Sequence, residues 1–536
     1  MKLDLSSPQD RLLGKILDQQ AAHSGSTRFL VTDDVSITFS QAADITNRLA
    51  AGLAAAGIGA GDRVVLFLGN CPEMVLLTLA ANKIGAVWVP INTDFRGEWL
   101  RDALVRSRPA VVVTDQQLAP RLADFAADLD GASLVMVGTD AADAKAAIPY
   151  AFLLENPPLT PDYSVQDYGD TSAIMWTSGT TGKSKGVMQS HNNWIRAIVD
   201  GAAIMYDSQD DDVCYCPLPL YNSGAWITCV YRALIEGIPV VLENKFSVST
   251  FWERINHFGA TQIFAIGAMG SFLMNTPETD SDSQNSLRKA LIVPMAPNLW
   301  DAFEQRFGVE LLSAGMGMSE CLLIANQLEC PPGVPSYALG LPPKDLDLKL
   351  CDDNGNEVED GQPGEICLRA KAPHVLFKGY FDAPEATAAA YRGDWFLTGD
   401  MARRDPETGV YFFSDRKKDA VRFAGRNISS MEVEGVVRRH PEVADVAAYG
   451  IPCADMDSED ELKLSVVRKP GSDLTAEALC EFINDNAPYF FVPRYLDFVD
   501  SLPYTPTQKV QKYLLREQGN AEGTWDLRES SFRVRR

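Results

Sequence analysis

The stretch from Ser40 to Pro90 constrains the fold of this chain more than any other. Ile45, Leu49, Leu53 and Ala56 fall on one face at helical spacing, with Ser40 placed to cap that helix and Gly57 to end it. Val64–Leu68 then reads as a buried strand. Pro72 can open a second helix carrying Met74, Leu77 and Ile84 before Gly85, and Ala86–Pro90 reads as another apolar strand. Strand, helix and strand at this spacing predict right-handed crossover units and a layered α/β architecture.

A chain of 536 residues exceeds what one hydrophobic core supports, so more than one domain is expected. The dense charged run Asp415-Arg416-Lys417-Lys418-Asp419 marks a boundary. Beyond it lie candidate strands at Val443–Gly450 and Leu462–Arg468 and a helix at Thr475–Asn484, the pattern of a smaller α+β body. The expected division is a large α/β domain over 1–415, a smaller domain over 419–520 and a tail over 521–536.

The formal net charge of −24 repels nucleic acid and anionic membranes, so neither is expected as a partner. Any polyphosphate must then be held locally, by backbone amides and nearby cations. The most apolar region, Val64–Pro90, is interrupted by Asn70, Pro72, Glu73, Asn82 and Lys83, so no membrane span is expected. No basic segment followed by an apolar core opens the chain, and its ten cysteines contain no CxxC pair. Reduced, buried thiols and a cytoplasmic location are therefore expected.

The most informative motif is Thr177-Ser178-Gly179-Thr180-Thr181-Gly182-Lys183-Ser184-Lys185-Gly186, preceded by the apolar run Ala173–Trp176. Its glycines allow the backbone to turn sharply and aim several amides at one point, while hydroxyls and two lysines add donors and charge. That combination suits a polyphosphate. It is not a Walker loop, because the glycine required five residues before Gly182 is Thr177 here.

This loop resembles the phosphate-binding signature of the adenylate-forming superfamily, which contains acyl- and aryl-CoA ligases, peptide-synthetase adenylation domains and luciferases. Further segments follow the family's order. Ser313-Ala314-Gly315-Met316-Gly317-Met318-Ser319-Glu320 is similar to the segment in which Glu320 would hold Mg²⁺, Ser319 would stand for a threonine and Met316 for the aromatic residue against adenine. Trp395-Phe396-Leu397-Thr398-Gly399-Asp400 resembles the segment whose Asp400 would accept hydrogen bonds from the ribose hydroxyls. By the same resemblance Arg416 would contact ribose and phosphate, residues 416–418 would form a hinge with Lys418 as pivot, and the loop bearing Gly425 would line the thiol tunnel. Lys509, within Leu502–Lys512, matches the catalytic lysine that bridges substrate carboxylate and α-phosphate. Gly364-Glu365-Ile366 and Lys378-Gly379-Tyr380 match segments read as structural.

The resemblance implies ATP and Mg²⁺ as cofactors, coenzyme A as co-substrate, and a small carboxylic acid as substrate. Pro217–Gly224 carries Asn222 where CoA ligases usually show His, and no carboxylate that would pair with an α-amino group. Trp226 and the run Phe264–Gly270, with Gly267 leaving room, are candidates for the acyl pocket. The expected activity is conversion of an organic, apolar acid to its acyl-CoA through an acyl-adenylate. Loading of a carrier protein, or a luciferase-like oxygenase reaction, is the alternative on the same scaffold. A homodimer is compatible with these features.

Overall fold

The protein is described by a computed structural model covering residues 3–129, 131–138, 147–177, 184–295, 297–313, 315–417, 419, 421–423, 426–453, 460–504, 510–521 and 523–535. Ser178–Lys183, Lys418, Gly425 and Lys509 therefore lie outside the described residues. The chain divides into two compact units. The first comprises Met1–Thr177, Ser184–Asp347 and Arg369–Ala389, and the second includes Leu348–Leu368 and Ala390–Arg536.

The crossover units expected from Ser40–Pro90 are present. The first helix runs Phe39–Ala55, but its cap is Thr38, not Ser40. Thr38 and Gln41 form a reciprocal capping box, which satisfies two orphan donors and outcompetes a lone serine two residues further in. The second helix, Pro72–Lys83, begins at its proline as expected and is buried along almost its whole length. The flanking strands are Arg63–Phe67 and Val87–Pro90, paired in parallel.

The first unit contains two seven-stranded sheets of one design. One runs Ile148–Pro149, Ser133–Val137, Val111–Asp115, Arg63–Phe67, Val87–Pro90, Thr171–Trp176 and Gly186–Ser190. The other runs Glu310–Leu311, Lys289–Val293, Gln262–Ile266, Cys214–Cys216, Val240–Leu242, Arg28–Val31 and Ser36–Thr38. In each, every neighbouring pair is parallel except the last, which is antiparallel. Parallel strands covered on both faces explain the continuous apolar runs in the sequence.

The second unit holds an antiparallel sheet around Trp395–Arg404, which pairs with Pro363–Ala370, Tyr391–Arg392 and Tyr411–Arg416. Its C-terminal part is a four-stranded sheet of Val443–Pro452, Asp460–Arg468, Tyr495–Phe498 and Trp525–Asp526. The helices Ser430–Val437 and Ala476–Asn486 share its apolar core. Thr475 caps the latter helix, one residue before its first turn. The architecture is thus a large α/β body with a smaller α+β one. No helix among the described residues is long and apolar enough to cross a membrane. All ten cysteines are free thiols; seven are buried and Cys71, Cys330 and Cys453 are half-buried.

Candidate functional site

The glycine-rich loop is anchored by its two ends. Strands Thr171–Trp176 and Gly186–Ser190 pair antiparallel, and beyond them the Thr177 amide donates to the Lys185 carbonyl at 3.0 Å. The Ser184 hydroxyl closes back on the Thr177 carbonyl, and Arg106 donates to the Ser184 carbonyl at 2.8 Å while its guanidinium lies 4.7 Å from the Trp176 ring centroid. Gly186 is required here, because a Cβ would lie 2.9 Å from the Ile174 side chain. These contacts tie the two ends of the loop together.

Ser319 and Glu320 occupy the turn of a hairpin whose strands are Met316–Met318 and Cys321–Ala325. Gly317 permits that hairpin, since a Cβ would stand 2.3 Å from the Leu322 carbonyl oxygen. Buried Gln189, on the loop's outgoing strand, donates to the Ser319 carbonyl. The chain returns at Phe377–Phe381. Phe377 donates its amide to the Glu320 carbonyl at 2.8 Å, and Lys378, Gly379 and Phe381 bond to Gly186 and Met188.

This return brings Tyr380 to the centre. Its hydroxyl donates to Glu320 Oε1 at 2.8 Å, and Lys185 Nζ sits 4.5 Å from its ring centroid. Glu320 is only 8% exposed. Burial pushes its carboxyl above the usual range, against the opposing influence of the Tyr380 hydrogen bond and the Lys185 charge. A carboxylate with one oxygen held by a phenol keeps lone pairs for a hard cation. Among the described residues no group of three or more His, Cys, Asp or Glu side chains could hold a metal by itself. One carboxylate supplemented by nucleotide phosphates is a donor set that Mg²⁺ accepts, so Glu320 fits.

In the second unit, Asp400 and Arg416 are register partners on adjacent antiparallel strands, with Arg416 Nε 3.8 Å from Asp400 Oδ1. The turn before Asp400 is built by Gly399, whose φ of +73° suits glycine, and by Thr398, whose hydroxyl accepts the Asp400 amide at 3.1 Å. Buried Glu365 fixes this turn: Oε1 accepts the Gly399 amide at 3.0 Å and Oε2 meets Lys417 Nζ at 2.8 Å. Both Tyr380 and Glu365 lie in segments the sequence pattern had marked only as structural. Their spacing to Glu320 and Gly399 gave no local signal.

The substrate-side candidates cluster in the first unit. Asn70 staples the Pro217–Asn222 loop, donating to the Leu218 carbonyl at 2.9 Å and accepting the Leu220 amide at 2.8 Å. Asn222 precedes the turn Ser223–Ala225 and is half-buried. Trp226 is fully buried; its indole N–H donates to the Leu220 carbonyl at 2.7 Å and its ring packs 4.5 Å from Trp88 and 4.8 Å from Tyr231. Gly267 opens the helix Gly267–Met274, and a Cβ there would lie 2.0 Å from the Pro294 carbonyl oxygen. Gly224 lies under Phe264, whose ring edge is 3.0 Å from where a Cβ would be.

The family model for AMP-binding enzymes matches residues 17–381, and that for the AMP-binding enzyme C-terminal domain matches residues 432–509. A crotonobetaine/carnitine–CoA ligase of Escherichia coli O7:K1 is 32% identical, over 85% of this chain and 88% of its own. The fold resembles an anthranilate CoA ligase, AuaEII, solved with anthranoyl-AMP, at TM-score 0.85 and 23% identity, covering 96% of this chain and 98% of that one. ATP-bound MatB from Rhodopseudomonas palustris superposes at TM-score 0.83 and 24% identity, covering 94% and 98% of the two chains.

Proposed function

The chain belongs to the AMP-binding enzyme family, and on that premise we propose that it is an ATP-dependent carboxylate–CoA ligase that forms acyl-CoA, AMP and pyrophosphate. The observation that carries this reading is the meeting of Glu320 and Lys185 on Tyr380, at the neck of the donor-rich loop. A buried acid and an exposed lysine at such a neck suit a triphosphate and its counterion.

In the first half-reaction the substrate carboxylate attacks the α-phosphorus of ATP and pyrophosphate leaves, giving the acyl-adenylate. Two anions must meet, so positioning and charge neutralisation dominate the barrier. Bound Mg²⁺ would neutralise phosphate charge, with Glu320 as its protein ligand and Ser319 beside it. Thr177, Ser178–Lys183 and Lys185 cradle the phosphates in this proposal, and Met316 packs against adenine. Asp400 accepts from the ribose hydroxyls, with Arg416 adjacent to ribose and phosphate. Lys509 bridges the carboxylate and α-phosphate. In the second half-reaction the CoA sulfur attacks the acyl carbonyl, the C–O bond to AMP breaks, and the thiol proton leaves to solvent. Lys418 serves as the pivot, and the Gly425 loop lines the thiol path.

The proposed substrate is an apolar or carnitine-type acid. Its support is the likeness to a crotonobetaine/carnitine–CoA ligase. The test is a panel of carboxylic acids assayed for carboxylate-dependent ATP–pyrophosphate exchange and for thioester formation with CoA. Lys509→Ala is expected to lower the exchange at least a hundredfold while sparing thioester formation from pre-made acyl-AMP. Equal loss in both half-reactions would remove Lys509 from its assigned role, and absence of exchange with every acid would remove the proposed activity.

A further inference from the structure

We infer that Tyr380 is a positioning residue of the nucleotide site: its hydroxyl orients Glu320 toward the metal-bound phosphates and its ring face holds Lys185 over the loop neck. This rests on the functional reading above and deepens it.

The tyrosine is itself tightly placed. It forms a bridge with Val187 on the strand that leaves the loop, and its amide donates to Thr387 Oγ1 at 2.9 Å. Gly379 before it has φ of +115°, a conformation open to glycine, and Phe377 packs edge-on at 5.0 Å. Tyr380 is 6% exposed. Phe377 already holds the Glu320 carbonyl, so one short segment grips Glu320 by both main chain and side chain. A phenol that needed only a hydrogen-bond partner would be served by any carbonyl. This one instead donates to a buried carboxylate, where a charge-assisted bond both fixes the rotamer and supports the ionised form.

The second contact is of a different kind. Lys185 is exposed and follows directly on the loop, so its four-carbon stem has many conformers to lose on meeting a phosphate. Placing the ammonium over an aromatic face removes part of that freedom beforehand. The two contacts use different parts of one side chain, the hydroxyl and the ring, and can therefore be removed separately. Tyr380→Phe deletes the first and keeps the second. Tyr380→Leu deletes both.

Binding of ATP to the full-length protein, measured by calorimetry with Mg²⁺ and in EDTA, separates them without turnover. Tyr380→Phe is expected to weaken binding of Mg·ATP about tenfold and binding of ATP in EDTA less than twofold, because only the metal-held complex uses the oriented carboxylate. Tyr380→Leu is expected to add a further loss of about threefold in both conditions, the share that belongs to Lys185. In ATP–pyrophosphate exchange, Tyr380→Phe should raise the KM for Mg·ATP more than it lowers kcat. Equal losses with and without Mg²⁺ in Tyr380→Phe, or unchanged binding in both variants, would overturn the inference while leaving the ligase reading intact. Wild-type protein that bound no ATP in either condition would overturn both.

Discussion

Two clusters, one in each unit, are assembled from the same parts: a buried glutamate, a hydroxyl and a lysine. In the second unit Lys512 Nζ meets Glu434 Oε1 at 2.8 Å and donates to the Ser430 hydroxyl at 2.6 Å, while the Ala448 amide donates to the same carboxylate at 3.0 Å. Ser430 in turn donates its amide to buried Asp415 at 2.5 Å. Every charge there has an opposite charge or donors against it. In the first unit the Glu320 carboxylate has the Tyr380 phenol, but Lys185 lies over the ring instead of against the acid. The comparison teaches that the position of the cation separates a cluster that holds a fold from one that awaits a ligand. A lysine already neutralised stabilises; a lysine held nearby is available to an incoming anion.

The largest expected effect tests the saturated cluster. Lys512→Met leaves buried Asp415 without its cation and Glu434 with only Arg438, at 3.4 Å, and should lower the stability of the second unit by about 3 kcal/mol, read as a fall in the denaturant midpoint. An unchanged midpoint would erase the distinction between the clusters. Glu320→Gln should do the reverse. It is expected to cost about 10²–10³-fold in kcat/KM for adenylation, with no loss of stability in the ligand-free protein. If Glu320→Gln unfolded the protein as Lys512→Met should, the first cluster would be structural too.

A smaller effect is expected at Asp400, which already faces Arg416 and is half-exposed. Asp400→Asn should raise the KM for ATP about tenfold and reduce the preference for ATP over its 2′-deoxy analogue. Retention of that preference would place the ribose elsewhere. The smallest effect concerns pH. The Glu320 carboxyl is raised by burial, so as pH falls the native state takes up its proton before the unfolded chain does. The ionised group therefore costs stability at neutral pH, and that cost is relieved as pH falls through its folded-state value toward the ordinary one. The stability advantage of Glu320→Gln over wild type should be greatest at neutral pH and shrink on acidification. A constant difference across the range would mean the carboxyl is not strained by burial.

Much of the scaffold was legible because its signals are local. Proline at the start of Pro72–Lys83 and apolar runs at Arg63–Phe67 and Val87–Pro90 specify elements within a few residues. Where two local signals competed, at Thr38 and Ser40, the capping box decided, and only the partner glutamine three residues on distinguishes them. The site was legible in its ordered motifs but not in its supports. Gln189 reaches Ser319 across 130 positions and Tyr380 reaches Glu320 across 60. Glu365 reaches Gly399 across 34. No periodicity or spacing in one sequence encodes such pairs, because they are set by which strands the topology places side by side. The roles given to Trp226, Gly267 and Asn222 depend in the same way on what the acid itself touches.

The return of the chain at Lys378–Phe381 also has a bearing on solubility. Gly186–Ser190 is the outermost strand of its seven-stranded sheet, with Thr171–Trp176 on one side. On the other side the amides of Lys378 and Phe381 and the carbonyl of Gly379 take up the main-chain groups of Gly186 and Met188 at 2.7–3.1 Å. An unguarded border of this kind is a template on which a second polypeptide can add a strand. Here the molecule supplies that strand from its own later sequence, so the segment that bears Tyr380 also keeps this rim from seeding intermolecular β-pairing.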